Sequence, residues 1–128
     1  MADLETLEKV GQDFIGIFYN HLQNDRANLH QFYYDQAILS YEGTRAIGKE
    51  AIQNKYKEMS WSSIAIKGTV FDVQPNADQN GFMINVTGQL VVDNGPQPLG
   101  FTEVFVLKTI NNTTLITNQI FRLMLHNF

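Results

Sequence analysis

The chain has 128 residues, a formal net charge of −4, 44% apolar and 17% charged residues, and no cysteine. This is the composition of one globular domain with a real core, not of a disordered segment. It excludes structural disulfides and thiolate zinc sites, and its sign disfavours a polyphosphate partner, so no nucleic acid is expected.

The chain opens "MADLETLEKV", with no basic segment followed by an apolar run, and no stretch approaches the ~20 apolar residues that span a bilayer. A soluble intracellular protein without membrane insertion is expected. The glycosylation-like triplets starting at Asn85, Asn111 and Asn112 then read as chance matches. Leu4, Leu7, Val10, Phe14, Phe18 and Leu22 recur in steps of three and four, which predicts a helix over 4–22. Asp3 suits its N-cap, and Glu5 and Glu8 suit the positive end of its dipole. "NDRANLHQFY" predicts a short second helix carrying Leu29 and Phe32, capped by Asn24 or Asp25.

"AILSYEG" predicts a short strand over 37–43. "GKEAIQNKYKEM" predicts a third helix with Gly48 as N-cap and Ile52, Tyr56 and Met59 on one face. The apolar period then falls to two. Strands are expected over 62–74, 82–93, 101–110 and 114–124, separated by the turn sequences "DQNG", "DNGPQPLG" and "NNT". Connections this short join antiparallel neighbours, so these strands form a meander. The predicted architecture is α+β, with helices first and a long antiparallel sheet that they cover. In 114–124 both parities are apolar, Leu115, Phe121 and Leu123 against Ile116, Ile120 and Met124. A strand apolar on both faces is buried on both, which makes a second copy of the chain the expected cover for the outer face.

Several short stretches in this order resemble the nuclear transport factor two family, nearly end to end. They are "NDR" with Leu29 and Tyr33 behind it, "YEG" followed by "GKEAI", Gln74–Pro75, "GQL" at Gly88–Leu90, and the closing "TNQIFRLMLHNF". The resemblance implies a cone-like fold: a strongly bent antiparallel sheet wrapped around the long N-terminal helix, open at one end and homodimeric through the outer sheet face. It implies a carrier of Ran in its GDP form that also binds Phe-Gly repeat nucleoporins, works between cytoplasm and nucleus, is enriched at the nuclear pore, and needs no cofactor.

Residue by residue, the resemblance places Glu42 and Asp93 on an acidic rim that pairs with basic residues of Ran. It places Tyr41, Met59, Trp61, Ile64, Leu99 and Phe121 around an apolar pocket that takes a Ran aromatic. Such a site is a hot spot, with a dry aromatic anchor and charges that set register and on-rate. Well-studied members carry a second acid where this chain has Gly95; one rim pair is worth at most ~1 kcal/mol. Animal members often carry a tryptophan early in the first helix, where Leu7 stands as the candidate nucleoporin contact.

Plainer roles stand beside these. Glu42 suits a solvated strand end, and Asp93 a turn before Asn94–Gly95. Tyr41, Trp61 and Phe121 suit plain core, and Leu7 the helix stripe. The same cone also hosts small isomerases and dehydratases, which need a titratable base deep in the cavity. Asp72, of one parity with Ile64, Ile66 and Val70, is the best candidate for such a base. His21, His30 and His126 fall on no predicted strand. No metal-ligand spacing, phosphate loop or nucleophile elbow occurs. A dimerisation module without Ran binding is the third reading.

Overall fold

The computed structural model describes residues 3–124, so His126 lies outside the described residues. The elements are α1 (Leu4–Asn24), a 3-10 segment (Arg26–Phe32), β1 (Tyr33–Tyr41), β2 (Thr44–Ile47), α2 (Lys49–Lys57), β3 (Ile64–Pro75), β4 (Gly81–Val92), β5 (Leu99–Ile110) and β6 (Thr113–Met124).

The start of α1 is set by Asp3, whose Oδ1 accepts from the Thr6 amide at 2.8 Å. Its buried face is Gly11, Ile15, Phe18, Tyr19 and Leu22, with Leu7 and Phe14 partly buried. Leu4 and Val10 are exposed, so the predicted stripe is turned slightly from the real one. α1 packs against β3. Gly11 permits the close approach: a Cβ there would sit 2.5 Å from Val73 Cγ2. The predicted second helix is the 3-10 segment, kinked at Asn28.

The predicted strand 37–43 is longer at its start and ends in a turn. β1 and β2 form an antiparallel hairpin in which Tyr41 faces Thr44. Glu42 and Gly43, at φ 50° and 87°, make the reversal. Gly48, at φ 94°, then leads into α2, whose Ile52, Gln53 and Tyr56 are buried.

β3 to β6 form the predicted meander, each antiparallel to the next. The sheet as a whole is not antiparallel. Its order is β2-β1-β6-β5-β4-β3, and β1 runs parallel to β6. A parallel pair needs a long crossover, and this one is formed by all the chain between the two strands. Turn signals report only sequential neighbours, so the pairing was hidden. β1 and β2 precede α2, in the order expected for the strand over 37–43 and the third helix.

Two register shifts change which side chains face inward. One, between Lys67 and Val70, leaves Ile64 buried and Phe71 partly buried inside but turns Val70 and Asp72 out to solvent. The other, opposite Val106 and Leu107, lies at Thr117, so that Ile116, Gln119 and Phe121 are all buried although their parity differs. Much of the doubly apolar pattern in 114–124 is therefore one inner face with a bulge in it. Ile120 and Met124, each 50% exposed, still point outward.

The core lies between the inner sheet face and the helices. Phe18 meets Phe105 edge-on at 5.1 Å, and Tyr19 meets Phe101 at 6.2 Å. The sheet does not close: β2 and β3 are free edges.

Candidate functional site

Strand directions bring several segments to one end of the sheet. The end of β1, the start of β5, the ends of β4 and β6, and the start of β3 all lie there, because Tyr41 pairs with Phe121, Leu90 with Leu99, and Ile64 with Val92. The 58–63 segment between α2 and β3 completes this end. A recess of about 340 Å³ opens there, lined by Tyr41, Lys55, Glu58, Met59, Ser60 and Trp61. Behind it lies a narrow apolar cleft with about 20 Å³ of free space, room for about one water. Met59, Trp61 and Tyr41 border both, and Ile64, Phe121 and Glu103 lie deeper.

The walls are braced by aromatic contacts. Tyr41 and Phe121 stack at 4.6 Å and 9°, and Phe121 stacks on Phe101 at 5.7 Å. Trp61 is held from the 3-10 segment: the Arg26 guanidinium lies 4.3 Å from its ring centre and donates to its carbonyl at 2.8 Å. The other side of this lip is held by Asp93. Its Oδ1 accepts from the Ser62 and Ser63 amides at 2.8 and 2.9 Å, and its own amide donates to the Ser63 carbonyl at 2.9 Å.

Glu42 has a comparable double character. It is half-buried in the β1–β2 turn, its amide donates to the Phe121 carbonyl, and its Oε1 accepts from the Leu123 amide. The acid thus ties the turn to β6, the strand that carries Phe121. Asp93 stands on the far side of the lip and is exposed. Neither acid forms an ion pair among the described residues, so both charges remain open to an outside cation. Each is more than a solvated surface charge, because each also satisfies backbone amides.

The cleft floor is polar. Glu103, 4% exposed, accepts from the Tyr19 hydroxyl at 2.7 Å and from Gln119 Nε2 at 2.6 Å. Gln119 Nε2 also donates to the Tyr56 hydroxyl at 3.2 Å, and its Oε1 accepts from Tyr33. The Tyr33 and Tyr56 hydroxyls are 3.2 Å apart. Burial pushes the Glu103 carboxyl up to about 7, partly offset by the bonds from Tyr19 and Gln119. Burial likewise raises Tyr19, Tyr33 and Tyr56 above the ordinary phenol value. Every buried side-chain nitrogen and oxygen among the described residues has a partner.

Tyr41, Met59, Trp61, Ile64 and Phe121 therefore converge on one pocket. Leu99 sits at the same end, partly buried against the core, but lines neither cavity. Leu7 lies elsewhere, in a groove of about 270 Å³ with Val10, Pro75, Phe82 and Thr114. Asp72 is exposed on the outer face, which removes it as a cavity base. His21 packs edge-on to Phe32 and His30 bonds Gln53, both away from the pocket. Among the described residues no group of His, Asp and Glu is arranged to hold a metal ion. Sequence reading missed Glu103, although a signal existed: it shares strand parity with Phe101, Phe105 and Leu107, a lone acid in an inward apolar row.

A family model described as "Nuclear transport factor 2 (NTF2) domain" matches residues 10–123. The chain is 32% identical over 117 residues to nuclear transport factor 2 of Neurospora crassa, covering 91% of this chain and 94% of that one. It is 30% identical over 114 residues to the Candida glabrata protein of that name, covering 89% and 91%. The solved nuclear transport factor 2 of Cryptosporidium parvum superposes with a TM-score of 0.87 at 31% identity, over 97% of this chain and all of that one. On this pocket-bearing fold and these matches, the chain belongs to the nuclear transport factor 2 family.

Proposed function

We propose that this chain is a nuclear import carrier, a transport factor and not an enzyme, that binds Ran in its GDP form and conveys it through the nuclear pore. The observation that carries the reading is the convergence of Tyr41, Met59, Trp61 and Phe121 on one cleft, at the end of the sheet where Glu42 and Asp93 also lie. An aromatic side chain of the partner would enter the recess between Tyr41 and Trp61 and press toward the narrow cleft behind it. Basic neighbours of that aromatic would meet the two free carboxylates. Such charges govern on-rate and register more than raw affinity.

Passage through the pore requires weak contacts with Phe-Gly repeat nucleoporins. The Leu7 groove, remote from the pocket and offering Leu7, Val10, Pro75 and Phe82 beside Gln79, Thr109 and Thr114, is the proposed place for a Phe side chain, so that cargo and pore can be bound together. We also propose a homodimer. In strand register, Ile38, Ile120, Val104, Val106, Met83 and Val70 share the outer sheet face, with Val70 66% exposed. Ile120 pairs directly with Val104 and Val106 with Met83, so exposed apolar side chains cluster at the middle of this face among Asn85, Asn118 and Thr87, and such clusters mark interaction sites. The carrier is expected in cytoplasm and nucleus, enriched at the pore.

The isomerase-type reading loses its base with Asp72 on the outside, and Glu103 does not replace it, because both its oxygens already accept hydrogen bonds from Tyr19 and Gln119. A pull-down with GDP-loaded Ran, set against Ran loaded with a GTP analogue, tests the proposal. Capture of the GDP form alone supports it, and capture of neither refutes it.

A further inference from the structure

The partner pocket has an unusual floor. Glu103 borders the same cleft as Tyr41, Met59, Trp61, Ile64 and Phe121. Its carboxyl is bonded only by neutral donors, the Tyr19 hydroxyl and the Gln119 amide. The groups facing it are Tyr19 from α1, Tyr33 and Tyr41 from β1, Tyr56 from α2, Ile64 and Ile66 from β3, Val86 from β4, and Gln119 and Phe121 from β6. None of them is cationic. The basic side chains at the mouth are committed elsewhere: Arg26 to the Trp61 carbonyl, and Lys55 Nζ to the Thr44 hydroxyl at 2.7 Å. Among the described residues no cation pairs with Glu103.

A buried carboxylate without a cation is costly when ionised, and the group takes up a proton instead. In the open pocket, the cleft in front of Glu103 still admits about one water, which can solvate the charge. An apolar aromatic fits the outer recess and reaches this cleft only as Met59 and Trp61, which border both, move apart; it then removes that water and leaves the carboxylate without relief. We propose that Glu103 is a specificity-determining residue of the pocket: the pocket accepts its aromatic anchor with Glu103 protonated, so that seating the anchor and taking up a proton are one event. This rests on the reading of the cleft as the anchor site.

The sign of the effect follows. The unbound carboxyl titrates at about 7. Seating an apolar group raises that value further. Binding is then strongest below about pH 7 and weakens as pH rises through the unbound value, with a limiting slope of about tenfold per pH unit. Near neutral pH, binding should draw up to one proton from the buffer.

The test is calorimetric titration with GDP-loaded Ran from pH 6 to 8.5, in two buffers of different ionisation enthalpy, for the wild type and Glu103→Gln. Gln119 can turn its amide to pair with the new one, so the network survives. The inference predicts proton uptake and weakening with rising pH in the wild type, with this component lost in Glu103→Gln. Identical pH profiles in both proteins, with binding intact, would overturn it and leave the carrier proposal standing. Absence of Ran binding by both proteins at every pH would overturn the carrier proposal instead. The pocket is then read with toluene as the probe, followed by the emission of Trp61, the single tryptophan. Toluene binding that weakens with pH in the wild type but not in Glu103→Gln supports the inference. No binding up to saturation of toluene, or binding with one pH profile in both, overturns it.

Discussion

Glu42 and Asp93 each hold one oxygen on the protein's own backbone and offer the remaining charge outward. Charge and acceptor can therefore be separated by substitution. Glu42→Gln keeps an oxygen for the Leu123 amide and loses only the charge. It should leave the melting temperature near wild type and weaken Ran-GDP binding by about 1 kcal/mol. Glu42→Lys adds repulsion against a basic partner and should cost on the order of 2–4 kcal/mol of binding. It also orphans the Leu123 amide, so a loss of roughly 1–2 kcal/mol in stability accompanies it. Asp93→Asn should cost less than Glu42→Lys. Binding measured beside thermal melts checks all three, and unaltered Ran affinity in Glu42→Lys would place the interface elsewhere. Glu103 affects folding itself. Its folded value of about 7 lies above its ordinary 4.5. Stability from this group is full below 4.5 and is lost as pH rises through 7, by on the order of 3 kcal/mol. Between pH 5 and 8 the wild type should lose stability relative to Glu103→Gln in urea melts; parallel pH profiles would count against a neutral buried carboxyl.

At the scale of elements, the pocket depends on how α1, the 58–63 lip and the sheet end are held together. Gly11 sets the spacing of α1 on β3, and Gly11→Ala should push the helix off Val73 and cost about 1–3 kcal/mol in chemical denaturation. A change of less than 0.5 kcal/mol would mean that Val73 yields freely. Most of these elements were legible. The stripe in α1, the period-two strands and the turn residues Asp93–Asn94 and Asn111–Asn112, which do adopt positive φ, all declare themselves locally. What was not legible is non-local or shifts a register. Nothing in "AILSYEG" says that β1 runs parallel to β6. The bulge at Thr117 reverses parity without a composition signal, and the one in β3 is marked only by Gly68, a glycine inside a strand at φ 63°; unread, they placed Asp72 inside and gave β6 two buried faces. The pocket wall came from resemblance more than periodicity. Glu103 was missed because an acid on a strand is read as solvated by default.

The described residues present three separate surfaces: a pocketed end with two acids outside any ion pair, a remote groove of mixed polarity at Leu7, and an outer sheet face with exposed Ile120, Met124 and Val70. On the proposed carrier reading, that separation would let cargo, pore repeats and a second copy be bound at once. Sedimentation at micromolar concentration should give a particle of twice the 14.6 kDa chain; Ile120→Lys should shift it toward monomer, and a monomeric wild type would refute the dimer. The carrier account rests most directly on nucleotide selectivity, because a pocket that reads a switch region sees it ordered differently in the two nucleotide states. The decisive measurement is the affinity for Ran loaded with GDP against Ran loaded with a non-hydrolysable GTP analogue, under one buffer and salt. The account predicts binding of the GDP form and at least about a hundredfold weaker binding of the other; equal affinity for both would contradict it.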